Sequence, residues 1–416
     1  MSDFALTLWA WELTGSATAL ALVGFFSLLP SILVSLFAGI IVDRLNRKYL
    51  MILSDSMAAI STVGILILHL TGNLAIWHLY LAASITGGFG QIQELAYSTS
   101  ITLLVSPLNY TRANSMNSVV HYGSNIIAPA IAGILYPIIG LGGILPIDLA
   151  TFGVAIATLI WIQIPQPDRE QGERRKQGSR GGKISVFWNE VTFGIRYIWR
   201  SNGLRTLLIV TALFWFAHDL GGAIDEPMIL ARSDNNARTL SAILSIAGIG
   251  GVTGAIVLTS WGGTKRRVNG MLLGFMGAGV AKTVFGLGQS STVWLPAQFC
   301  SSLNFPLLES SSIALWMESV PPKLQGRVFA ANSLVLELVS AIATLIAGPL
   351  SDRILEPAMQ SQNIFSSLFA PVFGNDAGAG MALLYVCCAI AMFAVGAVGF
   401  RLPQLHRLED KKRSEQ

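Results

Sequence analysis

Apolar positions run along this chain in blocks of twenty residues or more, separated by shorter polar stretches that hold most of the charge. A helix needs roughly 20 residues to cross about 30 Å of hydrocarbon, and Gly or small polar residues interrupt these blocks without ending them. The pattern predicts eleven membrane helices, at 17–42, 49–71, 75–104, 112–136, 141–163, 204–227, 239–262, 268–288, 292–317, 325–350 and 379–401. Ahead of them, Phe4 to Trp11 is an apolar remnant too short to span and without the basic start of a signal peptide. It is expected to be the outer part of a first helix whose beginning is missing from the chain.

The longest polar interruption, about 164–203, opens with a Pro, Gly and Arg-rich stretch from Pro165 to Gly182 and reads as a linker. After it, Ile184, Phe187, Trp188, Val191, Ile195, Ile198 and Trp199 share one helical face, with Glu190, Arg196 and Arg200 elsewhere. Such a helix lies on the inner leaflet or packs beneath the bundle. The expected organisation is an N-terminal transmembrane bundle at 1–163, a cytoplasmic linker with this amphipathic helix at 164–203, a C-terminal bundle at 204–402 and a cytoplasmic tail at 403–416.

Composition narrows the picture. Hydrophobic residues make up 52% of the 416 and charged residues 12%, about half the share of a soluble domain. Of the 27 Lys and Arg, 23 fall in one alternating set of loops, which places that set and the C-terminus in the cytoplasm of a plasma (inner) membrane protein. Cys300, Cys387 and Cys388 all lie in apolar segments and form neither a disulfide framework nor a metal site. The dispersed basic residues give no nucleic-acid surface. There is no phosphate loop and no metal-spaced His or Cys cluster, so neither an enzyme nor a cofactor is expected. The chain is expected to work as a monomer.

Four landmarks recur at a separation of 215 residues: Gly39 with Gly254, Glu94 with Glu309, Arg112 with Arg327, and Gly133 with Gly348. Parallel repeats of about six helices each place a substrate site between the halves near the midplane. The loop after the first full span reads Gly39-Ile-Ile-Val-Asp43-Arg44-Leu-Asn46-Arg47-Lys48. Here the chain resembles the major facilitator superfamily, with Asn46 in place of a Gly in the superfamily's loop; Asn tolerates a left-handed turn next best. The resemblance looks closest to the branch of macrolide-efflux proteins and the enterobactin exporter. Thr14 to Leu20, Pro322 to Arg327, Gly348-Pro349-Leu350 and Asp352-Arg353 carry it. It implies two pseudo-symmetric six-helix bundles. Ala128-Pro129-Ala130-Ile131-Ala132-Gly133 is similar to the Gly-Pro signature associated with antiporters, so Pro129, Gly133, Gly348 and Pro349 are expected at close helix contacts. The Arg that many proton-coupled relatives carry in the fourth helix is absent.

Asp43 is expected near the N-terminus of the eleventh helix, around Gln325 to Arg327, whose dipole favours an anion. Gly39, Arg44, Arg47, Lys48, Arg112 and Arg327 would complete this inner gate, although topology alone also accounts for the basic residues. An unpaired charge near the bilayer centre costs at least about 2.5 kcal/mol. Glu94, Asp148, Asp219, Lys282 and Glu309, all inside predicted spans, are therefore expected on a proton or substrate path or, failing that, as satisfied structural partners. His218 beside Asp219 suits packing or a proton relay. Asp225 and Glu226 are expected to face water at the outer end, and Lys282 to snorkel outward or to neutralise an acid or an anionic substrate. Gln91, Asn117, Tyr122, Asn125, Trp215 and Gln298, with Trp9, Trp11, Tyr97, Phe214 and Phe305, offer a mixed aromatic and amide lining for bulky amphipathic molecules. Asp55 sits too near the inner end of its helix to be a midplane ligand.

These residues lead to secondary active export of a small amphipathic molecule, such as a drug, siderophore or metabolite, by alternating access and proton antiport. Uptake by the same fold, or a non-transporting membrane sensor or scaffold, are the alternatives.

Overall fold

The computed structural model describes residues 1–104, 110–162, 183–361 and 363–413. Gly39 and the side chains of Asp43, Arg44, Arg112, Asn117, Tyr122 and Asn125 lie outside the described residues, and so do the expectations placed on them. Among the described residues, eight helical stretches are long and apolar enough to cross a membrane.

The first group comprises α1 (Ser2–Thr14), α2 (Ala17–Arg44), α3 (Arg47–Leu70), α4 (Ile76–Leu104) and α5 (Tyr110–Trp161). A second group follows α6 (Lys183–Arg200): α7 (Asn202–Gly222), α8 (Asp225–Arg232), α9 (Ala237–Trp261), α10 (Arg267–Leu287), α11 (Ser291–Leu303), α12 (Phe305–Ser319) and α13 (Pro322–Leu350). A wider turn at Ser351–Leu355 then leads to α14 (Glu356–Gln360), α15 (Ile364–Phe373), α16 (Ala379–Gly399) and α17 (Pro403–Arg413).

Local chemistry sets the helix ends. Ser16, Asn46, Ser201 and Asn236 each turn a side-chain oxygen back onto the first amides of α2, α3, α7 and α9. Gly15, at φ 55°, closes α1 in the left-handed conformation that glycine reaches without strain. The predicted spans at 112–136 and 141–163 are two helices, together labelled α5, that meet at a non-helical kink at Gly140, where φ is 60° and ψ is −170°. The span predicted at 204–227 instead ends at Gly222, and the separate helix α8 carries Asp225 and Glu226. The span at 292–317 is two helices meeting at Asn304. The ten-residue apolar helix α15 was not among the predicted spans; its length is half of what spanning requires.

Lipid supplies no hydrophobic drive between helices, so close packing of small residues holds such bundles together. Gly87 of α4 meets the backbone of Ser27 on α2, while Gly250 and Gly254 of α9 meet backbone carbonyls of Phe299 and Leu303 on α11. A side chain at any of these positions would push two helices apart. Between the groups, Gly133 of α5 lies against Ser241 of α9, and Gly348 of α13 against the backbone of Ala17 and Thr18. Pro129 is one turn before the first of these glycines and Pro349 directly after the second. The linker helix α6 packs beneath the second group: Ile198 is fully buried and Gly194 abuts the backbone of Arg327. Its Phe193, Ile195 and Trp199 remain exposed.

Candidate functional site

A cavity of about 700 Å³ lies between the two groups of helices. One wall comes from α1, α2, α3, α4 and the second half of α5, the other from Gly222, Ala223, Glu226 and Pro227 around the α7–α8 turn and from Thr344 of α13. The lining mixes Leu6, Leu20, Val23, Ile65 and Phe152 with hydroxyls such as Thr7, Ser61 and Thr86. Three carboxylates, Asp3, Asp148 and Glu226, reach it, and the lining holds no Lys, Arg or His side chain. Asp148 accepts a 2.5 Å hydrogen bond from Ser2 Oγ. Glu226 faces Thr7 and Asp3 across the gap between the groups. A space of this size and mixed polarity takes a small organic molecule, and its acids favour a positive charge on it.

The two groups are joined at the end of the bundle where α2 begins. Asp352, just beyond α13, accepts hydrogen bonds from Ser16 Oγ at 2.6 Å and from the backbone amides of Ala17 at 3.2 Å and Thr18 at 2.8 Å. A carboxylate from one group thereby caps the first turn of a helix in the other, where the helix dipole favours negative charge. Trp11 Nε1 donates to Asn235 Oδ1 at 2.6 Å across the same boundary. The Gly133 and Gly348 crossings also join the two groups, the second of them at Ala17 and Thr18.

Beside the cavity, the second group buries charge. Lys282 of α10 is 6% exposed, donates from Nζ to the Tyr385 hydroxyl at 3.1 Å and lies 5.2 Å from the centre of that ring. It interacts electrostatically with Asp225 and Asp219. His218 Nδ1 pairs with Asp219 Oδ1 at 2.9 Å. The His218 ring is held among Phe214, Trp215 and Phe305. Asp225 keeps one buried carboxylate oxygen with no partner.

Of the five charged residues expected on a path, Asp148 lines the cavity, and the buried Lys282 and the part-exposed Asp219 lie beside it. Glu94 and Glu309 are exposed. Glu94 sits two helical turns beyond the cavity-lining Gly87, and Glu309 one turn beyond Phe305, whose ring is 5.1 Å from His218. Two expectations are corrected. Lys282 does not snorkel outward, because Tyr385 and the acids of the bundle draw it in. Asp225 and Glu226 do not face outer water, because α7 ends early and turns α8 inward. In the inner motif, Arg47 donates to the Thr99 carbonyl at 2.7 Å and Lys48 to the carbonyls of Ile160 and Ile162 at 2.7 and 2.9 Å, closing the ends of α4 and α5. The Arg327 guanidinium lies 5.4 Å from the Phe193 ring. Asp55 is buried and accepts from Gln93 Nε2 at 2.6 Å. Gln91, Trp215 and Gln298 lie outside the cavity lining. Trp215 packs on His218 instead, and Gln298 is buried with one oxygen unpartnered. Sequence reading missed Asp3 and Tyr385, which only long-range packing brings to these sites.

Two helix bundles enclosing a polar cavity within an apolar body define a membrane transporter of small solutes. The profile described as Major Facilitator Superfamily matches residues 1–344, and the chain belongs to that superfamily. It is similar to Macrolide efflux protein A of Streptococcus pyogenes, with 25% identity over 356 residues, 85% of each chain. It is also similar to the Multidrug efflux pump Tap of Mycolicibacterium fortuitum, with 24% identity over 409 residues, 95% of this chain and 90% of the relative. Among solved structures, the nucleoside transporter NupG shares the fold with a TM-score of 0.65 at 12% identity, covering 96% of this chain and 98% of that one. A bacterial homologue of the iron transporter ferroportin in an inward-facing state gives 0.64 at 17% identity, covering 96% and 93%.

Proposed function

We propose that this transporter exports small amphipathic molecules by alternating access, driven by an inward flow of protons. The observation that carries the reading is the 700 Å³ cavity between the bundles, apolar over much of its wall yet holding Asp3, Asp148 and Glu226. Such a cavity suits a molecule with an apolar body and a basic group. With the outer ends latched by Asp352 and Trp11, loading is from the cytoplasmic side, and rocking of the bundles about the fixed cavity then releases the molecule outside. The distribution of Lys and Arg supports a cytoplasmic C-terminus in the inner membrane. The domain division expected from the sequence, 1–163 and 204–402 joined by 164–203, supplies the two rocking bodies. The efflux names of the similar proteins point the same way.

Everted membrane vesicles provide the test, with erythromycin and ethidium as compounds. Accumulation is expected on imposing an acid-inside pH gradient and loss of it on adding a protonophore. Accumulation indifferent to the gradient would remove proton antiport. Cells losing sensitivity to these compounds on deletion of the gene would reverse the direction.

A further inference from the structure

A second cavity, of about 770 Å³, opens at the end of the bundle where α2 begins. Helix ends surround it: Glu12 in the last turn of α1, His69 in the last turn of α3, the Gly140 kink of α5 and the first turn of α9 at Arg238. Ends of spanning helices mark the edge of the hydrocarbon, so this space lies at headgroup depth, where Trp and Tyr are favoured, and Trp9 and Tyr136 line it. Its charges are sorted between the two groups of helices. The first group supplies Glu12, whose carboxylate accepts from the Tyr136 hydroxyl at 2.9 Å, and Trp9, one turn earlier on the same face of α1. The second group supplies Arg238 with Asn235 and Asn236. Trp11 Nε1 takes the Asn235 oxygen, and the amides of Arg238 and Thr239 take the Asn236 oxygen, which leaves both side-chain NH2 groups to donate. Asp234 and Asn235, at φ 52° and 59°, are the only non-glycine residues in the left-handed region among the described residues, and this sharp turn delivers Asn235 and Asn236 to the cavity. Among the described residues, neither Glu12 nor Arg238 forms an ion pair.

An acid and a base that share one cavity without meeting are complementary to a ligand that carries both charges. A second feature says what else that ligand has. Ile127, Ile131, Ile134 and Ile138 are all exposed and fall on one face of α5, a stripe that ends beside Pro137 and Ile139 of the cavity wall. At the rise of a helix the stripe is about 16 Å long, close to the roughly 15 Å of one hydrocarbon leaflet. We propose that this cavity binds the headgroup of a zwitterionic phospholipid, with its ammonium against Glu12 and Trp9, its phosphate against Arg238 and the amides of Asn235 and Asn236, and an acyl chain along the isoleucine stripe. The chemistry matches at each end: a carboxylate accepts from an ammonium while the indole ring offers a cation–π face, and guanidinium and amide N–H groups donate to phosphate. The direction of transport and its coupling ion play no part in this. Because Glu12 and Arg238 come from different groups of helices, the lipid bridges the same boundary as the Trp11–Asn235 hydrogen bond, and it favours the conformer in which this end is joined.

Thermal unfolding of the purified transporter in detergent, with lipid titrated in, tests this. Phosphatidylethanolamine is expected to raise the melting temperature of the wild type. Phosphatidylglycerol with the same acyl chains lacks the ammonium and is expected to need about tenfold more lipid for the same rise. Glu12→Gln and Arg238→Gln are each expected to raise the phosphatidylethanolamine requirement by about the same factor. Arg353→Gln, which removes an exposed cation outside the cavity, is expected to leave it unchanged. The lipid concentration at half the full rise is the quantity compared, so a variant that starts from a lower melting temperature remains informative. Free phosphoethanolamine, which has the charges without the chains, is expected to give no rise at the same concentrations. A wild-type response indifferent to the headgroup, or an unshifted response in either cavity variant, overturns the site. A rise produced equally by free phosphoethanolamine overturns the lipid as its occupant.

Discussion

Asp352 accepts a 2.8 Å hydrogen bond from the backbone amide of Thr18, a residue 334 positions earlier, and so seals the first turn of α2 from the opposite bundle. The sequence suggested such a helix-terminus latch on the inner side, at Asp43. The structure shows one at the opposite end of α2, where it joins the two groups of helices.

Removing that carboxylate is therefore expected to favour the outward-open state. Loss of a capping acceptor is worth about 1 kcal/mol, or about a fivefold change in the balance of states. A cysteine placed at Ala21, a buried cavity residue, reports it: labelling by an impermeant maleimide from outside is expected to rise in Asp352→Ala and less in Asp352→Asn. Equal labelling in both backgrounds would deny Asp352 this role.

At the other crossing, Gly133 has no room for a methyl group against Ser241. Gly133→Ala is expected to lower the melting temperature in detergent, at a cost of about 1–3 kcal/mol for overpacking. Because the obstruction is a side chain, Ser241→Gly in the same protein is expected to restore most of the loss. Gly348→Ala has no such remedy, since its neighbours are backbone atoms of Ala17 and Thr18.

Asp148 and Glu226 give the cavity its sign. Asp148→Asn and Glu226→Gln are each expected to weaken binding of tetraphenylphosphonium by about tenfold, or roughly 1.4 kcal/mol, measured by equilibrium dialysis with the purified protein. Binding of a neutral molecule of similar size is expected to change far less. Equal losses for both would point to a collapsed cavity instead of a charge effect.

Arg232 ties three helix ends together. It donates to the carbonyls of Gly286 and Gly288 at 3.2 and 3.0 Å and to that of Phe373 at 2.8 Å, joining α8 to the ends of α10 and α15. Arg232→Ala leaves these carbonyls unpaired, at about 1–3 kcal/mol for such a loss. Arg232→Lys is expected to recover only part of this stability in thermal unfolding, because an ammonium cannot span the fork.

Which parts of this were legible beforehand follows a physical line. Spanning a membrane imposes a length and an apolar content that need no knowledge of neighbours, so α2, α3, α4, α9, α10, α13 and α16 were readable with ends displaced by only a few residues. The offset of 215 residues likewise pointed to Gly133 and Gly348, and both lie at crossings between the bundles. Short elements were harder: α8 and α15 are too brief for periodicity to separate them from the ends of spans.

Direction and partnership depended on the fold. Lys282 has the same composition around it whether it faces lipid or the bundle interior, and only the approach of Tyr385, 103 residues later, places it inside. Asp352 was visible as a residue, but its role needed α2 of the opposite bundle. The one-dimensional pattern of apolar residues thus determined that this chain crosses a membrane, because each helix meets lipid on its own. Where each buried charge finds its compensation was decided only in three dimensions, because in a low dielectric that depends on atoms brought together from distant parts of the chain.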